Sequence, residues 1–412
     1  MLKILFFSYA ILISTLSFSQ WTPITAPPNN FRTDHSFGFS ISGVGYLVAG
    51  TDNTNTTTAD FYSYNPLTDQ WTQLNDFPGG TRGYGIGDII DGKAYFGFGS
   101  SSNTGQSNQQ NDLWEFDPAT GQWTELASCP CAARRHPALV ASQGKIFMGL
   151  GDNSTVGNLN DWWEYDIATD NWTQKTLFPG FNRHHPYQFA IGDNVYVGFG
   201  HGNQGSQIYK DWYSYNPTLD TWTQVSDITG QARVAGTQFS HNGFGYILSG
   251  DGQTHNSMPV GEFWRYDASN DSWLQLPSHP GKSRWAPASF VINDEVYLIN
   301  GAETPNYIYP NTSFKLNLNS LVGLAENLKD NKFSVYPNPF TSEITFDFSE
   351  LEGKENLSVQ LYNALGEKVF ETDLGKDSDT KIDLSFLEKG LYWAEILSGD
   401  KNMGSRKLVK VQ

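Results

Sequence analysis

Short apolar runs alternate with turns along most of the chain, and none has the 3.6-residue periodicity of an amphipathic helix. Runs of this length, rich in aromatic residues and bounded by Asn, Asp, Gly or Pro, predict β-strands. One run in each unit of about 50 residues ends in glycine, at Gly50, Gly99, Gly151, Gly200, Gly250 and Gly301. The pattern predicts an all-β chain of repeated units with about four strands each.

A tryptophan recurs at the same place in each unit. The gaps between neighbouring copies are 50, 52, 49, 50 and 51 residues, and the copies are Trp21, Trp71, Trp123, Trp172, Trp222 and Trp273. Each interior copy follows an aromatic residue, then Asn or Asp, then a short polar turn, as in Tyr64-Asn65 before Trp71. A repeat of this period predicts an array of like modules.

This repeat resembles that of the kelch family of β-propellers, which couples a Tyr-apolar-apolar-Gly-Gly strand to a downstream aromatic residue and Trp. The likeness covers residues 21 to about 318, and it differs in having a single final glycine where the family has two. The resemblance implies a six-bladed kelch-type β-propeller over residues 20–318.

The sixth unit lacks a tryptophan of its own. Its strand Ser313–Asn317 is present, but no Trp follows near position 323, whereas Trp21 precedes the first unit. We infer that residues 20–24 supply the outer strand of the sixth blade. Such an arrangement joins the two ends of the ring and removes its open edges.

Residues 1–19 have the features of a signal peptide. Lys3 precedes an apolar stretch of about 13 residues, which is shorter than the roughly 20 that a spanning helix needs. The small residues Ser17 and Ser19 precede the predicted cleavage position, which lies after Ser19. No second apolar run follows, so the mature chain is predicted to have no transmembrane segment.

The last part of the chain differs from the repeats. The period breaks over residues 319–332, a predicted linker, and apolar and polar residues alternate from Phe333 onward. The landmarks Tyr336-Pro337-Asn338-Pro339, Gly390-Leu391-Tyr392 and Lys407-Leu408 resemble the C-terminal sorting domain of the type IX secretion system. The resemblance implies a small β-sandwich over residues 333–412 that engages the type IX secretion machinery. The protein is then secreted or displayed at the outer-membrane surface. Without the family, these residues would predict an adhesive or spacing β-sandwich.

Composition and charge narrow the possible partners. Aromatic residues make up 15% of the chain, glycine contributes 40 residues and charged residues only 17%, as suits packed sheets with many turns. The net charge is −17, and no basic stripe is present. This balance repels phosphate backbones, so nucleic acid is excluded as a partner.

Six arginines share one position, 17 or 18 residues before the final glycine of their own unit: Arg32, Arg82, Arg134, Arg183, Arg233 and Arg284. The strand connections place them near the mouth of the central channel. Two interpretations remain open: a repeated clamp between neighbouring blades, or guanidinium groups that bind an anionic ligand together with His136 and His185. The loops 51–58, 100–111, 152–160 and 201–207 are rich in hydroxyls and amides, which suit a sugar but also suit solvent.

Signals for catalysis are weak. His35, His136 and His185 follow the arginine in three units that are not all adjacent, and Pro follows two of them, so we predict no metal and no cofactor. No nucleophile elbow or phosphate loop appears, and no catalytic residue is assigned. A copper oxidase of the galactose oxidase type needs a Tyr-Cys pair, but the two cysteines lie in one loop. Cys129 and Cys131 are either a local disulfide or two free thiols.

Three hypotheses for function follow. We favour a recognition protein that binds a glycan, a peptide or a protein with the loop face and channel mouth of the propeller. The second is a carbohydrate-active enzyme such as the sialic acid epimerases known among exported six-bladed kelch proteins. The third is a scaffold without a small ligand. Fold alone does not choose among them.

Overall fold

The computed structural model describes residues 21–28, 34–52, 54, 56–101, 108–202, 207–321, 334–347, 357–363, 368–374, 379–398 and 401–411. They fall into two compact units, one over residues 19–318 and one that includes residues 319–412. The predicted signal peptide, Arg32 and most of the predicted linker lie outside the described residues. The boundaries of the signal peptide and of the linker stay predictions.

Within the described part of the first unit, six four-stranded antiparallel sheets follow one another along the chain, each one blade. Blades one to three comprise β2 (Phe37–Ile41), β3 (Val44–Thr51), β4 (Thr57–Asn65) and β5 (Gln70–Gln73); β6 (Ile86–Ile90), β7 (Lys93–Gly97), β8 (Leu113–Asp117) and β9 (Gln122–Glu125); and β10 (Ala138–Ser142), β11 (Lys145–Gly149), β14 (Trp162–Asp166) and β15 (Asn171–Lys175). A small hairpin, β12 (Asp152–Asn153) and β13 (Gly157–Asn158), lies in a loop of blade three.

The other three blades repeat this order. They comprise β16 (Tyr187–Ile191), β17 (Asn194–Gly198), β18 (Trp212–Asn216) and β19 (Thr221–Val225); β20 (Thr237–His241), β21 (Phe244–Leu248), β22 (Gly261–Asp267) and β23 (Ser272–His279); and β24 (Ala288–Ile292), β25 (Glu295–Ile299), β26 (Ser313–Asn317) and β1 (Thr22–Ile24). A short 3₁₀ helix over Leu318–Leu321 follows the last strand.

The amino-terminal strand completes the sixth blade. β1 pairs antiparallel with β26, with Thr22 opposite Lys315 and Ile24 opposite Ser313. Trp21, just before β1, is 5% exposed, and its indole N–H donates to the Pro277 carbonyl of blade five at 3.1 Å. The first and last segments of the ring therefore share one sheet, and that sheet is bonded to its neighbour.

Aromatic side chains fill the spaces between neighbouring blades. Phe39, Phe61 and Phe116 pack between blades one and two, and Phe147 contacts Tyr215 between blades three and four. Aromatic pairs in such edge and offset arrangements add about 0.5–1.5 kcal/mol beyond the area they bury. Because neighbouring blades cover both faces of each blade, the sequences of the inner strands are nearly continuous apolar runs.

A two-point clamp joins the outer parts of neighbouring blades. Asp220 accepts the backbone N–H of Thr176 in the preceding blade at 2.9 Å, and the Trp222 indole donates to the carbonyl of the same Thr176 at 3.0 Å. The Tyr215 hydroxyl donates to Asp220 at 2.7 Å and fixes the carboxylate. Equivalent clamps hold Thr25 through Asp69 and Trp71, Ala127 through Asp170 and Trp172, and Ser226 through Asp271 and Trp273.

Two blades depart from this clamp in ways that their sequences explain. In blade two, Gly121 stands where blades one, three, four and five have aspartate, and the buried indole nitrogen of Trp123 has no hydrogen-bond partner among the described residues. In blade six, the residue that Trp21 holds is Pro277, which has no N–H for a carboxylate to accept. Among the described residues, the contact between blades one and two therefore has neither hydrogen bond of this clamp, although backbone bonds such as Gly50 N to the Arg82 carbonyl still join the two blades.

The second unit is a sandwich of two antiparallel sheets. One has the order β27 (Ser334–Tyr336), β28 (Glu343–Asp347) and β31 (Asp379–Asp383), and the other has the order β30 (Lys368–Asp373), β29 (Leu357–Asn363), β32 (Gly390–Ser398) and β33 (Lys401–Lys410). Their inner faces share a buried core that includes Phe340, Phe346, Val359, Leu361 and Leu408.

The residues of the predicted sorting motif lie together in this sandwich. Tyr336 ends β27, and the Asn338 side chain accepts the backbone N–H of Val409 in the last strand at 2.9 Å. Gly390 and Tyr392 begin β32, which pairs with β33 along its length, and Lys407 lies opposite Trp393 in that ladder. The three landmarks are thus joined by the terminal strand.

The clamp predicts unequal effects of removing an indole N–H in two blades. We expect Trp222→Phe to lower the free energy of unfolding by about 0.5–1.5 kcal/mol through the lost hydrogen bond to Thr176. Trp123→Phe is the matched control, since it removes a buried donor that has no partner, and we expect it to be neutral or stabilising. Urea unfolding of both variants measures the difference, and equal losses would contradict the assigned role of the indole.

His279 predicts a loss of stability in acid. It is 2% exposed, its Nδ1–H donates to the Pro280 carbonyl and its Nε2 accepts from Ser249, so it is neutral in the fold. Burial, aided by the charge of Arg284, lowers the pKa of His279 to about 3. Between its unfolded pKa of about 6.5 and pH 3, only the unfolded state takes up this proton, which costs about 1.4 kcal/mol of stability per pH unit.

His279→Gln removes that titration. We expect the melting temperature of the native protein to fall more steeply between pH 7 and pH 5 than that of the variant, as measured by calorimetry. Parallel curves for the two proteins would show that His279 does not carry the proton linkage.

Candidate functional site

One residue from each blade meets its neighbours around the channel axis. These six residues, here called the neck ring, follow the repeat arginine by two or three positions and all have a left-handed backbone, with φ from 45° to 64°: His35, Tyr84, His136, His185, Ala235 and Ala286. Backbone hydrogen bonds join members of successive blades, such as His185 N to the His136 carbonyl at 3.1 Å and His35 N to the Ala286 carbonyl at 3.0 Å. The chain of each blade therefore turns at the axis itself.

The neck ring brings three imidazoles together. The Nε2 atoms of His35 and His185 are 3.0 Å apart, and the rings of His136 and His185 stack with centroids 3.3 Å apart. Tyr84 lies edge-on to His35, at 4.6 Å. Burial, together with the neighbouring histidines, holds the pKa of His136 and of His185 well below the ordinary value. The expectation that separate blades keep these histidines apart was wrong, because all blades converge at the axis.

A second layer of side chains lies on the loop side of the neck ring. In each blade, the residue just before the neck-ring residue forms an isolated backbone bridge with the residue just after the repeat glycine. We call the layer of these bridged residues the loop-side rim. Its bridged pairs are Asp34 with Thr51, Gly83 with Ser100, Arg135 with Asp152, His184 with His201, Val234 with Asp251, and Trp285 with Ala302.

Charged and aromatic groups of the rim are held in fixed positions. Arg135 donates from Nη2 to Asp152 at 2.7 Å and from Nε at 3.2 Å. His201 lies against His184, with ring centroids 3.7 Å apart. The Asp251 carboxyl is 1% exposed and accepts the Thr304 hydroxyl at 2.7 Å, and burial raises the pKa of Asp251 to about 6.

On the other side of the neck ring, the first strands of the blades enclose a channel with a volume of about 690 Å³. Its wall includes the polar side chains of Asp88, Gln188, Gln238 and His241. Asp88 accepts the backbone N–H groups of Ile89 and Ala141 at 2.7 Å each, and burial raises the pKa of Asp88 to about 6. The channel wall thus combines polar and apolar side chains, and neck-ring residues, the three histidines among them, also line it.

The repeat arginines are buried within their own blades. Five are described, each 0–2% exposed: Arg82, Arg134, Arg183, Arg233 and Arg284. Arg183 is typical, since it donates to both carboxylate oxygens of Asp211, at 2.7 and 2.9 Å, and to the carbonyl of Phe199 at 3.1 Å. Phe199 precedes the repeat glycine and has a left-handed φ of 55°. The arginine therefore satisfies a strained turn and a carboxylate of the same blade.

The partner of the arginine varies from blade to blade. Arg82 and Arg134 pair with Asp112 and Asp161, whereas Arg233 donates to Glu262 at 2.6 Å. Arg284 makes no ion pair among the described residues: Thr312 accepts it through the carbonyl and the hydroxyl, and burial lowers the pKa of Arg284 to about 10, an effect that the charge of Glu303 partly offsets.

These positions correct the interpretation of the arginines in two ways. The bonds of the arginine lie within one blade and not between blades. The arginine precedes the first strand of a blade, and its carboxylate partner precedes the third strand of that same blade. The five described guanidinium groups are also not open to the channel mouth. His136 and His185 do lie at the axis, in the neck ring, and Arg32 is outside the described residues.

Among the described residues, the arginine of the rim is Arg135, which the sequence interpretation left out. It follows Arg134 directly and occupies the same rim position as His184 and Trp285 in their blades. Aligning the units on their arginines would have shown this shared position. The predicted polar loops are partly engaged by the protein itself, since Asn153 donates to the Ala133 carbonyl at 2.7 Å and Asn158 donates to the His201 carbonyl at 3.2 Å. Cys129 and Cys131 form a disulfide.

A closed ring of six four-stranded sheets around an axial channel is a six-bladed β-propeller, here joined to a β-sandwich. The chain belongs to the Attractin/LZTR1 beta-propeller family, whose profile matches residues 45–307, more than half of its length. The profile of the secretion system C-terminal sorting domain matches residues 334–411. The protein is therefore secreted or displayed at the cell surface. The described residues contain no helix long and apolar enough to cross a bilayer.

Relatives with curated names match part of the propeller. N-acetylneuraminate epimerase of Pasteurella multocida (strain Pm70) is 33% identical over 125 residues, which cover 28% of this chain and 32% of that protein. The enzyme of the same name from Escherichia coli (strain K12) is 33% identical over 91 residues, which cover 22% and 24%. The chain thus matches a third or less of the length of these relatives.

A solved structure of YjhT resembles the propeller over most of its length. It superposes with a TM-score of 0.58 at 16% sequence identity and covers 70% of this chain and 96% of that protein. Similarity at this level of identity shows a common fold.

The intrablade pairs predict a large cost for removing one carboxylate. We expect Asp211→Ala to lower the free energy of unfolding by about 3–5 kcal/mol, because it leaves the buried Arg183 without its counter-charge. Thr312→Ala is the matched change in blade six and should cost about 1 kcal/mol, since only one hydroxyl bond to Arg284 is lost. Urea unfolding compares the two, and similar small losses would mean that the pair is not a stabilising feature of the blade.

Proposed function

We propose that the protein is an exported recognition protein that binds an acidic sugar at the loop-side rim of its propeller. The observation that carries the proposal is the gathering of a guanidinium group, imidazoles and an indole around one mouth: Arg135, His184, His201 and Trp285. Rigid blades hold these groups, as loops on a stable scaffold commonly do at binding sites.

The chemistry of the rim suits a carboxylated sugar. Arg135 is oriented by Asp152 through two hydrogen bonds, and a planar guanidinium group is well matched to a carboxylate. Aromatic faces near the mouth offer apolar contact: Phe181 is 68% exposed and stacks on Tyr209, and Tyr307 is 53% exposed. Hydroxyl and amide groups of the adjoining loops supply uncharged hydrogen bonds.

The relatives support the class of ligand. Those with curated names are N-acetylneuraminate epimerases, and N-acetylneuraminate is a carboxylated sugar. Because the match covers a third or less of each relative, it supports the ligand class more than the reaction.

A second candidate function is epimerisation of the bound sugar. It is favoured by Asp251, a rim carboxyl whose Oδ1 has no hydrogen-bond partner among the described residues and whose pKa is raised to about 6 by burial. A carboxyl group with a pKa near the working pH can donate and accept protons in turn. Interconversion of N-acetylneuraminate anomers, followed by NMR, would distinguish the enzyme from the binding protein, with Asp251→Asn as the inactive variant.

The binding proposal is tested by a glycan array followed by calorimetric titration with N-acetylneuraminate. We expect Arg135→Gln to weaken binding about tenfold or more, as loss of a charge-assisted hydrogen bond of about 1.5–3 kcal/mol requires. Lys93→Gln is the control, because it removes a cation at the start of β7, at the opposite end of its blade. Binding that is unchanged in Arg135→Gln would refute the rim as the site. No glycan binding by the native protein would favour the ligand-free scaffold.

A further inference from the structure

The three histidines of the neck ring have an arrangement that packing does not require. Their ligand nitrogens all lie within 4.8 Å of one another, and the ring centroid of His35 is 5.1 Å from that of His136 and 5.2 Å from that of His185. The same backbone position is occupied by Ala235 and Ala286 in two other blades, with φ of 51° and 45°. The left-handed turn at the axis therefore forms without an imidazole.

Several nitrogens of this cluster have no partner in the protein. Both ring nitrogens of His136 and Nδ1 of His185 are buried without a hydrogen bond among the described residues, and the His136 side chain is 8% exposed. A buried polar atom that lacks a partner destabilises the fold, because it has lost its hydrogen bonds to water and gained none in return. A cluster of such atoms in one place points to a ligand that accepts their lone pairs.

His35 is oriented as a metal ligand would be. Its Nδ1 is 2.8 Å from the Asp34 carboxylate, which accepts the N–H and leaves the lone pair on Nε2. That Nε2 accepts a hydrogen bond from Nε2 of His185 at 3.0 Å, and a bound ion would replace the proton between them. A carboxylate behind the coordinating imidazole is the usual outer partner of a histidine bound to a metal.

We propose that His35, His136 and His185 bind one divalent transition-metal ion, of which zinc is the test case, on the propeller axis. Imidazole nitrogens suit zinc, copper and nickel, and three of them leave a fourth position of a tetrahedron open. All three residues also line the channel of about 690 Å³, so the open position faces a space that a water or a small ligand can enter.

Two neighbouring groups share members with this trio, and each of them contains a residue that is already engaged. His184 and His201 approach His185, and Asp152 with His184 approaches His136. However, Nδ1 of His184 is 2.8 Å from the Asn158 amide oxygen, and Asp152 is paired with Arg135. The trio on the axis has fewer competing bonds and is the assigned site.

The test uses the secreted protein, stripped of metal with a chelator and titrated calorimetrically with zinc chloride, with cobalt(II) absorption as a spectroscopic readout of ligand geometry. We expect one ion per chain. His136→Ala and His185→Ala should each weaken binding by more than the 10–100-fold that loss of an outer-shell partner typically causes. Because Ala235 and Ala286 occupy the same backbone position, both variants are expected to fold, as circular dichroism would check.

Two further variants sharpen the test. His241→Ala removes a channel-wall histidine that is paired with Asp294, and it should leave zinc affinity unchanged. Asp34→Asn retains all three imidazoles and should weaken binding about 10–100-fold. The proposal is overturned if the native protein binds no zinc, or if His136→Ala and His185→Ala bind it as the native protein does. These readouts are independent of sugar binding, so the metal site and the proposed function can fail separately.

Discussion

The ring depends on a pair of hydrogen bonds that four of its six blades make, among the described residues, to a single residue of the blade before them. Aspartate accepts the N–H of that residue and tryptophan donates to its carbonyl, as Asp170 and Trp172 do at Ala127. Such a residue cannot shift along or away from its neighbour without breaking a bond. Because the clamp at Thr25 holds the segment after β1, the same interaction ties the closing strand to blade one.

Within blades two to six, buried arginines join parts of a single blade, as the clamps join neighbouring blades. The arginine holds the carbonyl of the left-handed residue before the repeat glycine and a carboxylate near the third strand, as Arg134 does with Leu150 and Asp161. The turn that contains the repeat glycine and the turn before the third strand are thereby held in fixed positions relative to each other. The positions of these two turns define the neck ring and the rim. Buried hydrogen bonds of the arginines, which lie away from the mouth, therefore fix the side chains that surround it.

Much of the fold follows from the spacing of a few residue types. The period of the tryptophans and glycines predicts an all-β propeller, and the lack of a tryptophan after β26 identifies where Trp21 belongs. The aspartates of the clamp were harder to recognise, because Asp69 and Asp220 stand in turns where aspartate is common for local reasons. The arginines were assigned to the right register but to the wrong partner, since spacing along the chain does not tell which carboxylate a guanidinium group reaches.

The site was less predictable than the fold because it is built across blades. His35 and His185 are 150 residues apart, and only the convergence of the blades on the axis brings their Nε2 atoms to 3.0 Å. The spacing of the repeat singled out Arg134 and not the next residue, Arg135, although the Arg135 side chain is 14% exposed and the Arg134 side chain is fully buried.

Native-state hydrogen exchange tests the clamp most directly, because the clamp binds one backbone amide per contact. The amides of Ala127, Thr176 and Ser226 should exchange as slowly as the inner strands do, since each is held by a carboxylate across the blade contact. The amide of Asn75, which occupies the equivalent place opposite Gly121, should exchange much faster. Equal protection at Asn75 and at the other three amides would contradict the account.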